Sequence, residues 1–506
     1  MQKVVILGGG ISGLSLAWFL RVVSEAASVP LRITILERSC RSGGWIFTDS
    51  TSGHVLEHGP RGFRPSGKGV ETLKLVESLG LEKDVVRPAE SGMNRFLYHD
   101  RKLQQLPSNF ISLVFRRPSV MKGVIRSLFK EPFQPKGLWV DESIYSFISR
   151  RFGGSAVDIV DGMVSGIYAG DIRKLSMRSC FPVLWHFEKN KGSVLKGMLR
   201  GSTADRSASC TKNSSFVQKM KVAPQVSFRK GMGHLSKKLS ERLESLPNVK
   251  IHHDTHVLSI SHSVGSSANA YKDIVVHTRN GEHGRGTDFE ANHIFSTLTS
   301  SQLSELLPGS HRLLKTKLDK LCGSVSVAVI NLVYDIPNAH RRDGFGYLVP
   351  SVNKEDILGV AWDSSIFPSQ TVSKFYCNKT EGNAQAQEHT RLTVMMGGAH
   401  NPHIAKLKED RLVARAIEKV EEHMGITKTP CHSTANRMEN CIPQYYVGHH
   451  QRLAAIEKIV EETIPFLTPL GTSFYGVGIA DSVFAAKRAA EVYCESLSCG
   501  EKSQLK

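Results

Sequence analysis

The chain opens on a short apolar run, followed by a glycine-rich turn and a longer apolar stretch. Residues 4–7 are uncharged and apolar, and such a run predicts a buried strand. The stretch after the turn predicts an apolar helix that ends near Arg21, and residues 33–36 predict a second buried strand that ends at Glu37. A strand, a helix and a second strand in this order form a βαβ unit, so we expect the two strands to be parallel.

Apolar side chains recur at helical or strand spacing farther along the chain. One predicted helix stops before Pro247 and carries leucines on a single face, at positions 235, 239, 243 and 246. Strands are predicted over residues 248–260, 273–277 and 324–334. Asp141 is predicted to cap a helix that ends between residues 150 and 153. Two polar stretches, 201–218 and 369–389, interrupt the pattern, and we expect the first to be a disordered surface loop.

The length and the composition limit the architecture and the class of protein. A chain of 506 residues exceeds what one hydrophobic core supports, so two or three domains are expected. The net charge of +18 is spread along the chain, which favours an anionic membrane or an acidic substrate over nucleic acid. The nine cysteines form no CxxC pair, which indicates a reducing compartment and no metal site. No uncharged run reaches spanning length, so no transmembrane helix is expected.

A dinucleotide-binding turn follows the first predicted strand. The pattern G-x-G-x-x-G is formed by Gly8, Gly9, Gly10, Ile11, Ser12 and Gly13. The first glycine makes the tight turn, the second lets a pyrophosphate approach the backbone, and the third allows the helix to pack closely on the strand. The helix N-terminus then binds the phosphates through its free N–H groups. Glu37 ends the second strand, where its carboxylate would accept both ribose hydroxyl hydrogens. Together these features predict dinucleotide binding rather than an ordinary glycine turn.

The segment that begins at Glu37 indicates a flavin rather than a nicotinamide cofactor. Residues 37–45, with the sequence ERSCRSGGW, resemble the second signature of the FAD-dependent family that includes monoamine and polyamine oxidases, phytoene desaturases and protoporphyrinogen oxidases. The resemblance implies one non-covalent FAD, which this segment would contact through Arg38, Arg41, Gly44 and Trp45. From the residues alone, Arg41 also fits a solvated loop charge.

A third motif lies near the C-terminus, before an alanine-rich stretch that predicts a helix. Four residues resemble the C-terminal flavin motif of the same family: Gly476, Val477, Gly478 and Ile479. The resemblance adds Thr472 to the cofactor site, and a helix that starts beneath the flavin would stabilise negative charge on the reduced ring. Asp481 fits the N-cap of that helix. Val257 matches the family position whose backbone meets the adenine, although a core valine fits equally well.

Longer stretches narrow the resemblance to one branch of the family. The strings HGPRGFRP, NRFLY, SCFP and NCIPQY begin at residues 58, 94, 179 and 440. Together with GFGYLVP from residue 344, they are similar to the protoporphyrinogen oxidases, and most closely to those of animals. The resemblance covers nearly the whole chain apart from the two polar stretches. It departs at Ser165, where the animal enzymes usually have Arg, and at Ala480, where they usually have Asn.

The same resemblance implies roles for single residues. Four residues would contact the isoalloxazine ring: Gly59, Pro60, Arg61 and Gly62. Arg95 would pair with a propionate of the substrate through its fixed fork of donors. Phe345 and Leu348 would clamp the tetrapyrrole, while Met163 and Gly166 would form the opposite wall. From the residues alone, Arg95 also fits a surface charge, Phe345 a core aromatic and Gly166 a turn. No His–carboxylate pair stands out, so no catalytic base is assigned.

The activity that the resemblance implies is oxidation of protoporphyrinogen IX to protoporphyrin IX, the penultimate step of haem biosynthesis. Six electrons are removed, with O2 as acceptor and hydrogen peroxide as product. An amine oxidase is the nearest rival, but residues 323–329 lack the lysine that such an enzyme would carry, and Val327 stands in its place. No Cys-Tyr pair precedes residue 476 for covalent attachment of FAD. Another rival class is the Rab GDP-dissociation inhibitors, which share the fold without FAD and which Glu37 and Arg41 disfavour.

We therefore predict an α/β protein with a Rossmann-type FAD-binding domain, an α+β substrate domain and a mostly helical membrane-binding domain. The expected ranges are 1–75, 225–300 and 430–497 for the first domain, 76–92 and 301–429 for the second, and 93–224 for the third. Basic residues beside apolar ones at 106–139 suit an anionic membrane surface. The resemblance implies a homodimer on the mitochondrial inner membrane, facing the intermembrane space, with hand-over of the product to ferrochelatase. No Arg-rich amphipathic presequence precedes the first predicted strand, so we expect no cleavable presequence and an internal targeting signal.

Overall fold

The computed structural model describes residues 1–107, 119–121, 123–204, 213–264, 271–281, 284–370 and 389–504. The strands are β1 Gln2–Leu7, β2 Leu31–Leu36, β3 Thr48–Asp49, β4 Leu56–Glu57, β5 Val85–Val86, β6 Arg95–His99, β7 Lys102–Gln105, β8 Ser227–Phe228, β9 Val249–His252, β10 Thr255–Val264, β11 Tyr271–Asn280, β12 Gly286–Glu290, β13 His293–Ser296, β14 Gly323–Tyr334, β15 Gly346–Leu348, β16 Ile357–Ala361, β17 Thr390–Gly397, β18 His432–Gln444 and β19 Leu467–Pro469. The α-helices are Ile11–Ala26, Gly69–Ser78, Val124–Lys130, Ile144–Phe152, Val157–Tyr168, Met177–Cys180, Pro182–Lys191, Val194–Ala204, Ser215–Met220, Gly233–Glu244, Ser300–Leu306, Arg312–Asp319, Asp363–Ile366, Glu409–Met424, His449–Thr463 and Ile479–Gln504.

A parallel five-stranded sheet holds the N-terminal strand in its centre. The strand order is β19-β13-β1-β2-β9, so β1 has a parallel neighbour on each side. Val4 and Ile6 pack into one apolar cluster, and Val5 and Leu7 pack into another on the opposite face. A central strand that is buried on both faces is apolar at every position, which explains the uninterrupted run at residues 4–7. The sheet confirms the predicted βαβ unit and the predicted α/β class.

A second, seven-stranded sheet has the order β18-β14-β17-β16-β15-β6-β7. Its longest pairings join β14 to β17 and β18, both antiparallel, while β6 and β15 run parallel. One face of β14 packs against the helix Glu409–Met424 through alternate residues that include Ala328 and Ile330. The other face carries Val327 and Val329 and belongs to a smaller apolar cluster. A separate antiparallel sheet is formed by β10, β11 and β12.

A layer of short helices lies between residues 124 and 204. The helix Ile144–Phe152 is capped by Ser143, whose hydroxyl accepts a hydrogen bond from the amide of Ser146 at 3.1 Å. The prediction that Asp141 caps this helix is therefore wrong. The Asp141 carboxylate instead accepts from the Ser176 hydroxyl and from the Gly448 amide, both at 2.8 Å. It ties the helical layer to the segment that follows β18.

Two segments pair into the seven-stranded sheet although the sequence placed them elsewhere. Strands β6 and β7 fall within the range 93–224 that was expected to be helical, and β18 falls within the range 430–497 that was assigned to the dinucleotide-binding domain. The predicted strand 248–260 is two strands, β9 and β10, because Asp254 has a φ of 51° and turns the chain into another sheet. These differences come from pairings between strands that lie far apart in the sequence.

The polar stretches are described only in part. Residues 201–204 complete the helix Val194–Ala204, and Ser214 caps the helix Ser215–Met220, so the predicted disordered loop is wrong at both of its ends. Residues 205–212 and 371–388 lie outside the described residues, as do 108–118 and 122 of the basic apolar stretch. Within the described ranges, none of the helices combines the length and the apolar character needed to cross a membrane.

Candidate functional site

The glycine turn after β1 leaves room for a side chain at only one of its three motif glycines. Gly8 has a φ of +100°, and a Cβ on Gly13 would lie 2.0 Å from the Gly8 carbonyl oxygen, so the helix Ile11–Ala26 packs directly on the turn. A Cβ on Gly10 would meet only the Cα of Gly44, at 3.8 Å. The open space beside Gly10, at the helix N-terminus, fits the pyrophosphate of a dinucleotide. Ile11 and Ser12 begin the helix, and Ser12 is buried.

Glu37 is buried at the end of β2, beside this turn. Its carboxylate accepts hydrogen bonds from the Gly9 amide at 2.7 Å, from the Ser39 amide at 2.9 Å and from the Ser39 hydroxyl at 2.6 Å. A carboxylate with three donors is held in one orientation. The arrangement fits the ribose-binding acid of an adenine dinucleotide.

The loop behind Glu37 packs onto the glycine turn. The Gly43 amide donates to the Gly9 carbonyl at 2.9 Å. Arg41 donates to the carbonyl oxygens of Gly44 at 3.1 Å and of Ile46 at 3.3 Å, and burial lowers the pKa of its guanidinium. Arg41 is exposed, and its guanidinium braces the loop through these backbone carbonyls. Arg38 is exposed in this structure.

The next loop, residues 57–62, continues the same line of backbone contacts. A Cβ on Gly59 would lie 1.9 Å from the carbonyl oxygen of Trp45, so the two loops touch. Contacts thus run without a break through Gly10, Gly44, Trp45 and Gly59, and we call these four residues the glycine track. The indole of Trp45 is 41% exposed. The track leads away from Glu37 toward the seven-stranded sheet.

Arg61 joins the end of the glycine track to that sheet. Its Nε donates to Asp363 Oδ1 at 2.9 Å, and both side chains are largely buried. Its Nη2 is buried and has no hydrogen-bond partner among the described residues. Pro60 is half-buried, and Gly62 lies against Val226, because a Cβ on Gly62 would be 2.4 Å from the Val226 carbonyl oxygen. An unpaired buried donor beside the track fits an acceptor on a bound cofactor.

Glu57, the first residue of this loop, anchors the loop to neighbouring segments of the chain. Its carboxylate accepts from the Met232 amide at 2.6 Å and from the Thr48 hydroxyl at 2.7 Å. Burial, the largest cause, raises the pKa of Glu57 from 4.5 to about 7. The carboxyl group therefore titrates near neutral pH, inside a segment that holds Arg61 in place.

The C-terminal motif surrounds the hydroxyl of Tyr445. This hydroxyl donates to the carbonyl oxygen of Thr472 and accepts from the Gly476 amide at 2.9 Å. Burial raises the pKa of Tyr445 well above its ordinary value. The Gly476 φ of +129° turns the chain through Val477 and Gly478 into the helix that begins at Ile479. Asp481 lies inside the first turn and pairs with Lys68 at 2.8 Å, so it is not the N-cap.

Val257 lies at the end of the site nearest to Glu37. It belongs to β10 and is half-buried against an apolar cluster. Two residues earlier, the Thr255 amide donates to the Glu37 carbonyl at 2.9 Å. This places the β10 backbone beside Glu37, at the end of the site that fits an adenine.

The proposed substrate residues lie on β6, on β15 and on the helix Val157–Tyr168. The register pairs Arg95 with Gly346 and Leu97 with Leu348, so Arg95 and Leu348 are on the same face of neighbouring strands. Leu348 contacts Gly166, since a Cβ on Gly166 would lie 2.6 Å from Leu348 Cδ2. The structure therefore brings Leu348 and Gly166 together as facing walls.

The remaining substrate residues are placed less tightly. Arg95 is exposed and Met163 is half-buried in the structure. Phe345 packs beside Val86 and Phe367, and its amide donates to the Asn94 carbonyl at 2.7 Å. The described contacts do not join Phe345 to Leu348.

One face of the seven-stranded sheet has an apolar half that includes Val327, which the sequence had indicated, and a polar half that the sequence had not. Val327, Val329 and Met395 form its apolar half. Its polar half begins one step farther along the register, where Asn331 pairs with Thr393. The Thr393 hydroxyl lies 2.7 Å from Asn331 Oδ1 and 2.5 Å from Asp363 Oδ2. The only signal in the sequence was the presence of polar residues inside otherwise apolar strands.

Comparisons with known proteins identify the family of this chain and match its fold over nearly its whole length. The family model for flavin-containing amine oxidoreductases matches residues 11–493. The human protoporphyrinogen oxidase is 33% identical over 97% of this chain and 98% of its own length, and the enzyme of the same name from Schizosaccharomyces pombe is 29% identical over 95% and 96%. A crystal structure from Exiguobacterium sp. 255-15 superposes with a TM-score of 0.75 at 23% identity, over 98% of this chain and 99% of that one. The chain therefore belongs to the family of flavin-containing amine oxidoreductases, as a relative of the protoporphyrinogen oxidases.

Proposed function

We propose that this protein oxidises protoporphyrinogen IX to protoporphyrin IX, with non-covalent FAD and with O2 as the final acceptor. The observation that carries the proposal is the glycine track, which runs from beside Glu37 to Gly59, two residues before Arg61, whose partner Asp363 follows strand β16 of the seven-stranded sheet. The match of the human enzyme over 97% of the chain supports the choice of substrate.

Each turnover removes six electrons in three two-electron steps, with three O2 consumed and three hydrogen peroxide formed. Bound FAD supplies the redox chemistry. The chain positions the tetrapyrrole: Arg95 would pair with a propionate, Phe345 and Leu348 would contact the macrocycle, and Met163 and Gly166 would face them. The apolar half of the sheet face would exclude water from the reacting carbon.

The apolar character of β14 favours this reaction over amine oxidation. Val327 stands where the amine oxidases of this family commonly carry a lysine, and it is buried beside Val329 and Met395. An apolar wall suits a flat, largely apolar macrocycle that carries its charges at one edge. We expect polyamines to be poor substrates, because the apolar wall offers no partner for their ammonium groups.

Steady-state oxidation of protoporphyrinogen IX by the purified chain tests this function. We expect porphyrin fluorescence to appear with three hydrogen peroxide formed per porphyrin. Coproporphyrinogen III, which carries four carboxylates rather than two, serves as the competing substrate. A higher kcat/KM for coproporphyrinogen III, or for putrescine, would contradict the proposal.

We also propose that the helical layer docks on an anionic membrane surface. Phe133, Leu138 and Trp139 are 86%, 94% and 70% exposed, within a single stretch of seven residues. Lys189 donates to the carbonyl oxygens of Gly137 and Trp139, both at 2.7 Å, which sets a cation beside these apolar side chains. Apolar side chains flanked by lysines suit the interface of an anionic bilayer.

Vesicle sedimentation tests the membrane proposal. We expect the chain to bind vesicles of phosphatidylcholine with cardiolipin, and the triple variant Phe133→Ser, Leu138→Ser, Trp139→Ser to lose most of that binding. Leu313→Ser removes a 61% exposed apolar side chain outside the helical layer and serves as the control. Equal binding by the triple variant and by the control would contradict the proposal.

The similarity to the animal enzymes also supports a proposal about the cellular setting. We propose a homodimer on the mitochondrial inner membrane, facing the intermembrane space, which hands its porphyrin to ferrochelatase. Similarity to the human enzyme over the whole chain supports this setting. Protection of the chain from protease in intact mitochondria, but not in mitochondria whose outer membrane is ruptured, would test it. Digestion in intact organelles would contradict it.

A further inference from the structure

The pair formed by Arg61 and Asp363 joins the cofactor loop to the substrate sheet. The Arg61 Nε donates to Asp363 Oδ1 at 2.9 Å, and the two side chains are 12% and 11% exposed. Asp363 begins the short helix Asp363–Ile366, two residues after β16. Burying two charges is costly unless each is paired and hydrogen-bonded, so this contact is specific in its geometry.

The second oxygen of Asp363 is held from the sheet. The Thr393 hydroxyl lies 2.5 Å from Asp363 Oδ2, and Asn331 Nδ2 donates to the Glu57 carbonyl at 3.1 Å. Thr393 and Asn331 are in contact on paired strands, so the carboxylate is fixed to the sheet and the sheet is fixed to the loop that carries Arg61. Asp363 cannot turn without breaking this series of contacts.

The contact with Asp363 uses only one edge of the Arg61 guanidinium. Because Nε is the donor, the guanidinium is oriented while Nη2 stays buried without a hydrogen-bond partner among the described residues. Leaving a buried N–H group unpaired is unfavourable, so this donor fits an acceptor that the described residues do not supply. Arg61 follows Gly59 at the far end of the glycine track from Glu37. That end of a bound FAD carries the flavin ring, whose carbonyl oxygens and ring nitrogens are acceptors.

We infer that Asp363 is a positioning residue that holds the Arg61 guanidinium toward the flavin ring, and this inference rests on the proposed function. A fixed cation beside the ring stabilises negative charge that develops there. Asp363 acts through Arg61 and does not touch the cofactor. If Asp363 is removed, Arg61 loses its orientation, and the ring loses that stabilisation although the chain keeps both the arginine and the FAD.

Sulfite binding tests the inference without any substrate, because sulfite adds to oxidised flavin and the negative adduct is stabilised by a nearby cation. We expect Asp363→Asn to retain FAD and to raise the sulfite dissociation constant by about tenfold. Arg61→Gln should do the same. Sulfite binding is measured by the loss of flavin absorbance. The sulfite dissociation constant of the double variant should exceed that of either single variant by less than about twofold, because the effects of contacting residues that act as a unit are non-additive.

Asp356→Asn is the matched control. Asp356 precedes β16 and pairs with Arg415 at 2.6 Å. The control variant therefore also loses an aspartate–arginine pair, but in a more exposed setting away from the glycine track. Its sulfite dissociation constant should stay within about twofold of the parent, as surface pairs contribute little. Should Asp363→Asn fail to fold, Thr393→Val removes the hydroxyl beside Asp363 and should raise the sulfite dissociation constant in the same direction, while Thr393→Ser restores the parent value.

An FAD-bound Asp363→Asn protein with an unchanged or lowered sulfite dissociation constant would overturn the inference alone. Additive effects of Asp363→Asn and Arg61→Gln would overturn it as well, since the two residues would then act independently. A parent chain that binds no FAD would overturn the proposed function and the inference together.

Discussion

The side chain of Leu348 lies directly on the backbone of Gly166. A Cβ placed on Gly166 would come within 2.6 Å of Leu348 Cδ2 and within 3.2 Å of Leu348 Cδ1. Strand β15 and the helix Val157–Tyr168 therefore touch at this point, and a larger residue at position 166 would require the end of the Leu348 side chain to shift. If a tetrapyrrole lies between these two elements, it must displace the Leu348 side chain.

Substitution at this contact should alter substrate binding and leave the cofactor in place. Gly166→Ala should raise the KM for the porphyrinogen by about tenfold, because its methyl group would push the flexible end of the Leu348 side chain into the space between the two walls. FAD content and thermal stability of the holoprotein should change little. Leu348→Ala combined with Gly166→Ala should recover part of the KM. If Gly166→Ala lost FAD as readily as substrate, the wall assignment would be wrong.

The glycine turn offers a matched pair of substitutions. Gly10→Ala places its methyl group in open space, so the chain should fold, but the methyl group occupies the pyrophosphate position and FAD affinity should fall by about a hundredfold. Gly13→Ala should destabilise the fold itself, because its Cβ would lie 2.0 Å from the Gly8 carbonyl oxygen. Circular dichroism of the apoproteins and flavin fluorescence titration separate the two effects. Equal loss of fold in both variants would refute the assignment of Gly10.

The sequence predicts the dinucleotide-binding part of the fold well, because its signals are local. A buried strand, a glycine turn, a helix and an acid at Glu37 follow one another within 37 residues. Each step has its own steric or electrostatic reason, so the order alone indicates the βαβ unit.

The seven-stranded sheet could not be predicted in the same way. The pairing of β6 with β15 joins Arg95 to Gly346, and the pairing of β14 with β18 joins residues about a hundred positions apart. No local feature of these strands identifies the strand with which each one pairs. Asp363 and Thr393 were missed for the same reason, since their roles arise only where the sheet meets the loop of Arg61.

Arg95 should matter for the substrate and not for FAD. Arg95→Ala should raise the KM for the porphyrinogen by about tenfold or more, since a charge-assisted hydrogen bond contributes about 1.5–3 kcal/mol, while FAD affinity stays within about twofold. Arg342→Ala is the control, because Arg342 is a neighbouring exposed cation whose guanidinium lies over the ring of Phe96, on the opposite face of β6. Equal losses of substrate and FAD binding in Arg95→Ala would point to a structural role.

Glu57 should make the stability of the chain depend on pH near neutrality. Its pKa is raised from 4.5 to about 7 in the folded protein, so the folded state retains a proton that the unfolded state loses. The free energy of unfolding of the parent, relative to that of Glu57→Gln, should therefore fall by on the order of 3 kcal/mol as the pH rises from 4.5 to about 7. Urea unfolding of both proteins at pH 4.5 and at pH 8 measures this difference. A difference that does not change with pH would contradict the buried, titrating carboxyl group.

The central claim is that this chain passes electrons from a porphyrinogen to bound FAD. Anaerobic mixing of the purified, FAD-loaded protein with protoporphyrinogen IX tests it most directly, with flavin absorbance and porphyrin fluorescence followed together. We predict bleaching of the flavin by protoporphyrinogen IX, no bleaching by putrescine, and rapid formation of porphyrin when air is admitted. Bleaching by putrescine without bleaching by protoporphyrinogen IX would contradict the proposed oxidation of a porphyrinogen by bound FAD.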